Sequence, residues 1–129
     1  MTIKNAVVKG VQGCIAAIEG SRITVENVTV SAKNSEPGKQ DAFYALYSAS
    51  DALLEVISGE FYSERKPCCL ASDDDNPENP FGGFMLKGGK YSSQPMNDAV
   101  SPKEVWKPES GYKYLDTGDA TYPYEIVPE

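Results

Sequence analysis

Histidine is absent from this chain of 129 residues, and cysteine occurs only three times. Without imidazole, the Ser-His-Asp and Cys-His nucleophile arrangements and histidine-based metal centres are excluded. The odd cysteine count argues against a disulfide framework. Cys68 and Cys69 are adjacent and Cys14 stands apart. Neighbours on a strand point to opposite sides, so one of the pair is expected to face the core near Cys14 and the other to face outward. Structural core thiols are the first expectation, and one disulfide from Cys14 to a member of the pair is the second. Bases are also scarce, with 12 Lys and Arg against 19 Asp and Glu. A net charge of -7 and a pI near 4.6 leave no positive footprint for nucleic acid. No stretch approaches the roughly 20 apolar residues that cross a bilayer, so no membrane insertion is expected. No basic segment followed by an apolar one opens the chain, so no signal peptide is visible. Helix signals are confined to Asp41 to Leu46 and Pro102 to Trp106, and the first suits a strand equally well.

What the chain does have is a phrase that recurs. IKNAVV at Ile3 to Val8, VENVTV at Val25 to Val30, VISGEF at Val56 to Phe61 and LKGGKY at Leu86 to Tyr91 align on Asn5, Asn27, Ser58 and Gly88, which lie 22, 31 and 30 residues apart. Recurrence on that scale is what stacked repeats leave in a sequence. Ile3, Val25, Val56 and Leu86 make one apolar column; Val8, Val30, Phe61 and Tyr91 make a second; Ile23, Leu54 and Phe84 make a third. The positions between are mostly polar, which describes half-buried strands. The alternation slips by one at Asn5, Asn27, Ser58 and Gly88, where the chain must bend and where Asn or Gly tolerates a left-handed conformation. A second strand follows each phrase: Cys14 to Ile18, Ala42 to Tyr47 and Cys68 to Ala71. Polar insertions fall at Ser31 to Gln40, Ser72 to Gly83 and Ser92 to Ser110, and insertions in repeat proteins map to loops that carry function.

The closing runs GGKYSSQP at Gly88 to Pro95 and GYKYLDTGDATYPY at Gly111 to Tyr124 resemble a phrase that ends blocks of turns in the right-handed parallel β-helix, pectin-lyase-like regions of large bacterial surface proteins. The resemblance implies an all-β, right-handed parallel β-helix (solenoid) of about four turns with a C-terminal cap. Turns are expected over residues 1–91, and a long insertion with the capping segment over 92–129. It also implies an extracellular or cell-surface setting, and partners among cell-surface or host glycans and neighbouring turns or domains of a longer chain. Ile3 already occupies an apolar column, so the chain is expected to begin inside a repeat and to be cut from a longer protein.

Two clusters are candidate sites. Trp106, Tyr112 and Tyr114 gather with Tyr122 and Tyr124 in the last quarter, where aromatic rings either stack on sugars or cover the open end of the final turn. Asp73, Asp75 and Glu78 lie in an oxygen-rich stretch of the kind calcium takes, although an acidic run of this sort is more simply solvated. No other cofactor is suggested. The expected function is a non-catalytic structural or adhesive segment. The alternative is a carbohydrate-active enzyme, a polysaccharide lyase or glycosidase, represented by an incomplete fragment; such enzymes gather carboxylates and bases on one outer face.

Overall fold

A computed structural model describes residues 1–11, 14–33, 42–72, 82–98 and 102–129. Among them the fold is all-β with parallel sheets and contains no helix. The chain makes four successive passes through the same three sheets. The first lays down β1 (Thr2–Lys4), β2 (Val7–Gly10) and β3 (Ile15–Ala17), and the second β4 (Arg22–Glu26), β5 (Val28–Ala32) and β6 (Leu46–Ala49). The third gives β7 (Leu53–Val56), β8 (Gly59–Ser63) and β9 (Cys69–Ser72), and the fourth β10 (Gly83–Leu86), β11 (Lys90–Tyr91) and β12 (Met96–Asn97). β13 (Glu104–Val105), β14 (Tyr112–Asp116) and β15 (Tyr124–Pro128) follow. β1-β4-β7-β10, β2-β5-β8-β11 and β3-β6-β9-β12 are parallel throughout, each pass adding one strand to every sheet.

The register follows the apolar columns. Ile3 pairs with Val25, Val25 with Val56 and Val56 with Leu86, while Val8, Val30, Phe61 and Tyr91 pair in succession in the second sheet. In the third sheet Ile15 pairs with Leu46 and Leu46 with Cys69. These side chains meet in a single hydrophobic cluster fed by all three sheets, with the Phe61 and Tyr91 rings stacked at 5.3 Å. Between the columns, outward side chains also stack. Lys4 pairs with Glu26 at 3.0 Å, and Glu55 accepts from Thr24 at 3.2 Å and from Lys87 at 2.7 Å.

The corners between the first two sheets divide into two kinds. Asn5 and Asn27 adopt φ of 54° and 52°, and the Asn27 side-chain amide donates to Asn5 Oδ1 at 2.7 Å. In the third and fourth passes the positive φ moves one residue on, to Gly59 and Gly89, which only glycine adopts cheaply. Ser58 then serves the stack through its hydroxyl, which accepts from the Asn27 backbone N–H at 2.8 Å.

Two sequence expectations are corrected. Pro102 to Trp106 is not helical; Glu104 and Val105 form a short strand on β12 because their backbone completes that sheet's edge. Parallel pairing extends to Met96 and Asn97 of β12, within the stretch 92–129. The second correction is that neither Cys68 nor Cys69 faces outward, since both are 0% exposed. Cys68 lies in the corner before β9, where strand alternation does not operate, and Ser93 of the next pass closes over it. Asp41 lies outside the described residues.

Candidate functional site

The fourth pass would leave three sheet edges open, and unpaired edges invite association. The C-terminal segment covers each differently. β13 pairs antiparallel with β12, setting Met96 opposite Val105 and Asn97 opposite Glu104. β15 pairs antiparallel with β11 and with β14 in a hairpin, and Ile126 N–H donates to Gly89 O at 2.9 Å. The connection between β13 and β14 runs along β10, where Glu109 N–H reaches Leu86 O at 3.0 Å. Asp119 holds the hairpin turn, accepting from the Thr121 and Tyr122 backbone N–H groups at 2.8 Å each.

This covering positions Trp106. Its backbone N–H donates to Pro95 O at 2.7 Å, its indole N–H to Phe84 O at 3.0 Å, and its ring meets Phe84 edge-on at 5.7 Å. Tyr114 fixes it from the other side, donating its hydroxyl to Trp106 O at 2.6 Å. Burial pushes the Tyr114 phenol well above its ordinary range, so it remains a donor. Tyr112 is half-buried against the core, with its N–H bonded to Glu109 O at 3.0 Å. Of the three predicted aromatics, Trp106 therefore lines open space, Tyr114 supports it, and Tyr112 packs against the core.

That open space is a cleft of about 340 Å³ lined by Phe84, Asn97, Glu104, Trp106, Lys107 and Glu109. Glu104 and Lys107 are exposed, whereas Trp106, Asn97 and Glu109 are half-buried. An indole beside an amide, two carboxylates and an ammonium offers an apolar platform with donors and acceptors at its rim, which is the chemistry that takes a polyhydroxylated ring. The sequence reasoning found the Trp and missed its polar company. The signal was present in Glu104-Val105-Trp106-Lys107-Pro108-Glu109, where charges flank the one tryptophan. A larger cleft of about 540 Å³ opens nearby between Lys66, Ser92, Ser93, Gln94, Lys103 and Tyr124. It has two ammonium groups but no tryptophan.

Asp73, Asp75 and Glu78, the proposed calcium ligands, lie outside the described residues. Among the described residues no three acidic or sulfur side chains converge as a metal site would require. Of the outward carboxylates of the parallel stack, Glu26 and Glu55 are each held by a lysine along the ladder, while Glu60 lines a shallow pocket with Lys90 and Glu125. Among the described residues no helix is long and apolar enough to cross a membrane. Comparison with known proteins finds no matching family model, no matching curated protein and no matching solved structure.

Proposed function

We propose that this chain is a right-handed parallel β-helix of about four turns that serves as a structural and adhesive segment of an exported bacterial surface protein and binds a glycan in the Trp106 cleft. The coil is supported by three parallel sheets entered in the same order on every pass and sharing one core. Its hand follows from the rule that crossovers between parallel strands of one sheet are right-handed in about 98% of cases. The observation that carries the binding function is Trp106 lining a cleft with Asn97, Glu104 and Glu109. A non-catalytic role is supported by Glu26 and Glu55, two outward carboxylates of the stack, being tied into ion pairs with lysines.

A glycan array probed with the intact chain tests this. Binding should appear and should weaken about tenfold in Trp106→Ala, the loss of roughly 1.4 kcal/mol that one aromatic contact supplies. Glu104→Gln, at an exposed position, should alter binding without altering the circular dichroism spectrum, which separates the cleft from the cap's structural role. Absence of any glycan signal would remove the adhesive assignment. Release of unsaturated or reducing ends from an acidic polysaccharide would instead establish the enzyme.

A further inference from the structure

Adjacent residues of a strand splay to opposite faces, which places their side-chain tips far apart. Cys68 and Cys69 depart from this. Because Cys68 sits in the corner before β9, its sulfur turns inward to lie 3.5 Å from that of Cys69. Both thiols are free and both are fully buried. The third thiol has no part in this arrangement. Cys14 precedes Ile15, and Ile15 is separated from Cys69 by the intervening Leu46 strand. Two rungs are about 9.6 Å, beyond the roughly 7 Å between Cα atoms that a disulfide spans.

We propose that Cys68 and Cys69 form a vicinal dithiol that closes to a Cys68–Cys69 disulfide by exchange with a low-molecular-weight disulfide. Cys68 itself is covered, so the reagent reaches its sulfur by local opening at the Ser93 contact. Cys68 donates its backbone N–H to Ser93 Oγ at 2.7 Å, and its sulfur lies 3.1 Å from Ser93 O. Ser93 and Pro67 also line the 540 Å³ cleft that opens to solvent beside this corner. In the first step the Cys68 thiolate attacks one sulfur of the reagent, whose S–S bond breaks and releases a thiolate that takes up a proton. In the second, the Cys69 sulfur attacks Cys68 Sγ, forming the vicinal bond and expelling the second small thiol. The protein loses two electrons and two protons, and one small disulfide becomes two thiols.

The division of roles follows from the surroundings. Burial opposes ionisation of Cys68, but hydrogen bonds from Cys69 and from Ser93 outweigh it and hold its thiol below the ordinary value. Burial and the neighbouring Cys68 charge push Cys69 up. Once Cys68 carries the mixed disulfide, the part of the shift owed to its charge is removed while burial remains, so Cys69 gives up its proton to the departing small thiolate as it attacks. Burial alone raises Cys14 to about 12, which keeps it protonated.

The site is independent of glycan binding, and its test is too. The folded chain is incubated with oxidised glutathione, its remaining thiols are alkylated in denaturant, and intact and peptide masses are read. One alkylated thiol at Cys14, no retained glutathione and a Cys68–Cys69 peptide lighter by two hydrogens are expected. Cys14→Ser should give the same vicinal product, and Cys69→Ser should stop at one bound glutathione. Should Cys69→Ser fail to fold, phenylarsine oxide, a dithiol-specific probe, should bind the reduced wild-type chain one to one. Three alkylated thiols, a cross-link through Cys14, or glutathione retained on the wild-type protein would overturn the proposal.

Discussion

Glu55 and Val56 are neighbours in β7 that meet opposite media. Val56 is 0% exposed and stands between Val25 and Leu86, whereas Glu55 lies on the outer face between Thr24 and Lys87. An aspartate at 56 would place an unpaired charge where no polar partner can reach it. That costs on the order of 4 kcal/mol or more, a large share of the stability of a small domain. Val56→Asp should therefore unfold the chain, with loss of the cooperative thermal transition. Glu55→Ala forfeits two hydrogen bonds at the rim of the sheet, so its transition should stay cooperative and shift only slightly. Equal losses in the two melting curves would contradict the assignment of faces. At this scale the sequence was informative where strand geometry rules, since every apolar column became a register. It was uninformative at Cys68, because a residue in a corner owes nothing to the two-residue period that was used to place it. The Asn corners were legible for a related reason, as Asn5 and Asn27 occupy the left-handed region that few other side chains tolerate. Nothing in the spacing announced that the positive φ would shift to Gly59 and Gly89.

None of the strands exceeds five residues among those described, and strands this short gain their stability from neighbours above and below. On the β-helix reading proposed above, the energetics are close to one-dimensional, each pass depending on the next. β15 is the element on which the last pass leans. It covers β11 and contributes Ile126, only 3% exposed, to the common core. Ile126→Ala should cost about 2–5 kcal/mol, and the damage should be local first. Hydrogen exchange at Lys90 and Tyr91 should accelerate well before exchange at Thr29 and Val30, which lie between β2 and β8. Uniform acceleration along the second sheet would mean that the passes unfold as one unit. The candidate cleft was half legible for the same structural reason. Trp106 stood out by type, but its placement depends on β13 completing the β12 edge and on the chain running beside β10. Such edge-covering contacts are set by what the preceding pass leaves unpaired, not by a local pattern.

For the whole molecule, pH reads out how its ionisable groups are held. Backbone N–H donors from Tyr122 and Thr121 hold the Asp119 carboxyl below its usual 3.8, and the Lys87 hydrogen bond lowers Glu55 from 4.5. A carboxyl depressed by folding favours the native state above its unfolded value, and that contribution disappears as pH falls through the lower folded value. The phenols act in the opposite direction. Burial raises Tyr91 and Tyr114 above their usual 10.0, so both favour the fold at every pH below that value and lose their contribution as pH climbs beyond it. The carboxyls should thus make stability decline from about pH 4.5 downward and the phenols from about pH 10 upward. Among the thiols, Cys68, lowered to about 7, adds stability as pH rises from about 7 to 9, whereas Cys14 and Cys69, raised from 9.0, withdraw it above about pH 9. Urea midpoints measured from pH 2 to 12 give both limbs, with the pH values set by these ordinary pKa values. Tyr114→Phe removes a titrating phenol and its bond to Trp106 O together, so it should lower the plateau while softening the alkaline limb. Asp119→Asn should flatten the acid limb and leave the alkaline one in place. If stability instead tracked net charge, the midpoint would peak near the pI of 4.6 and fall steadily toward neutrality as the chain approached its charge of -7. A maximum there, in place of a plateau, would show that general self-repulsion outweighs these specific groups.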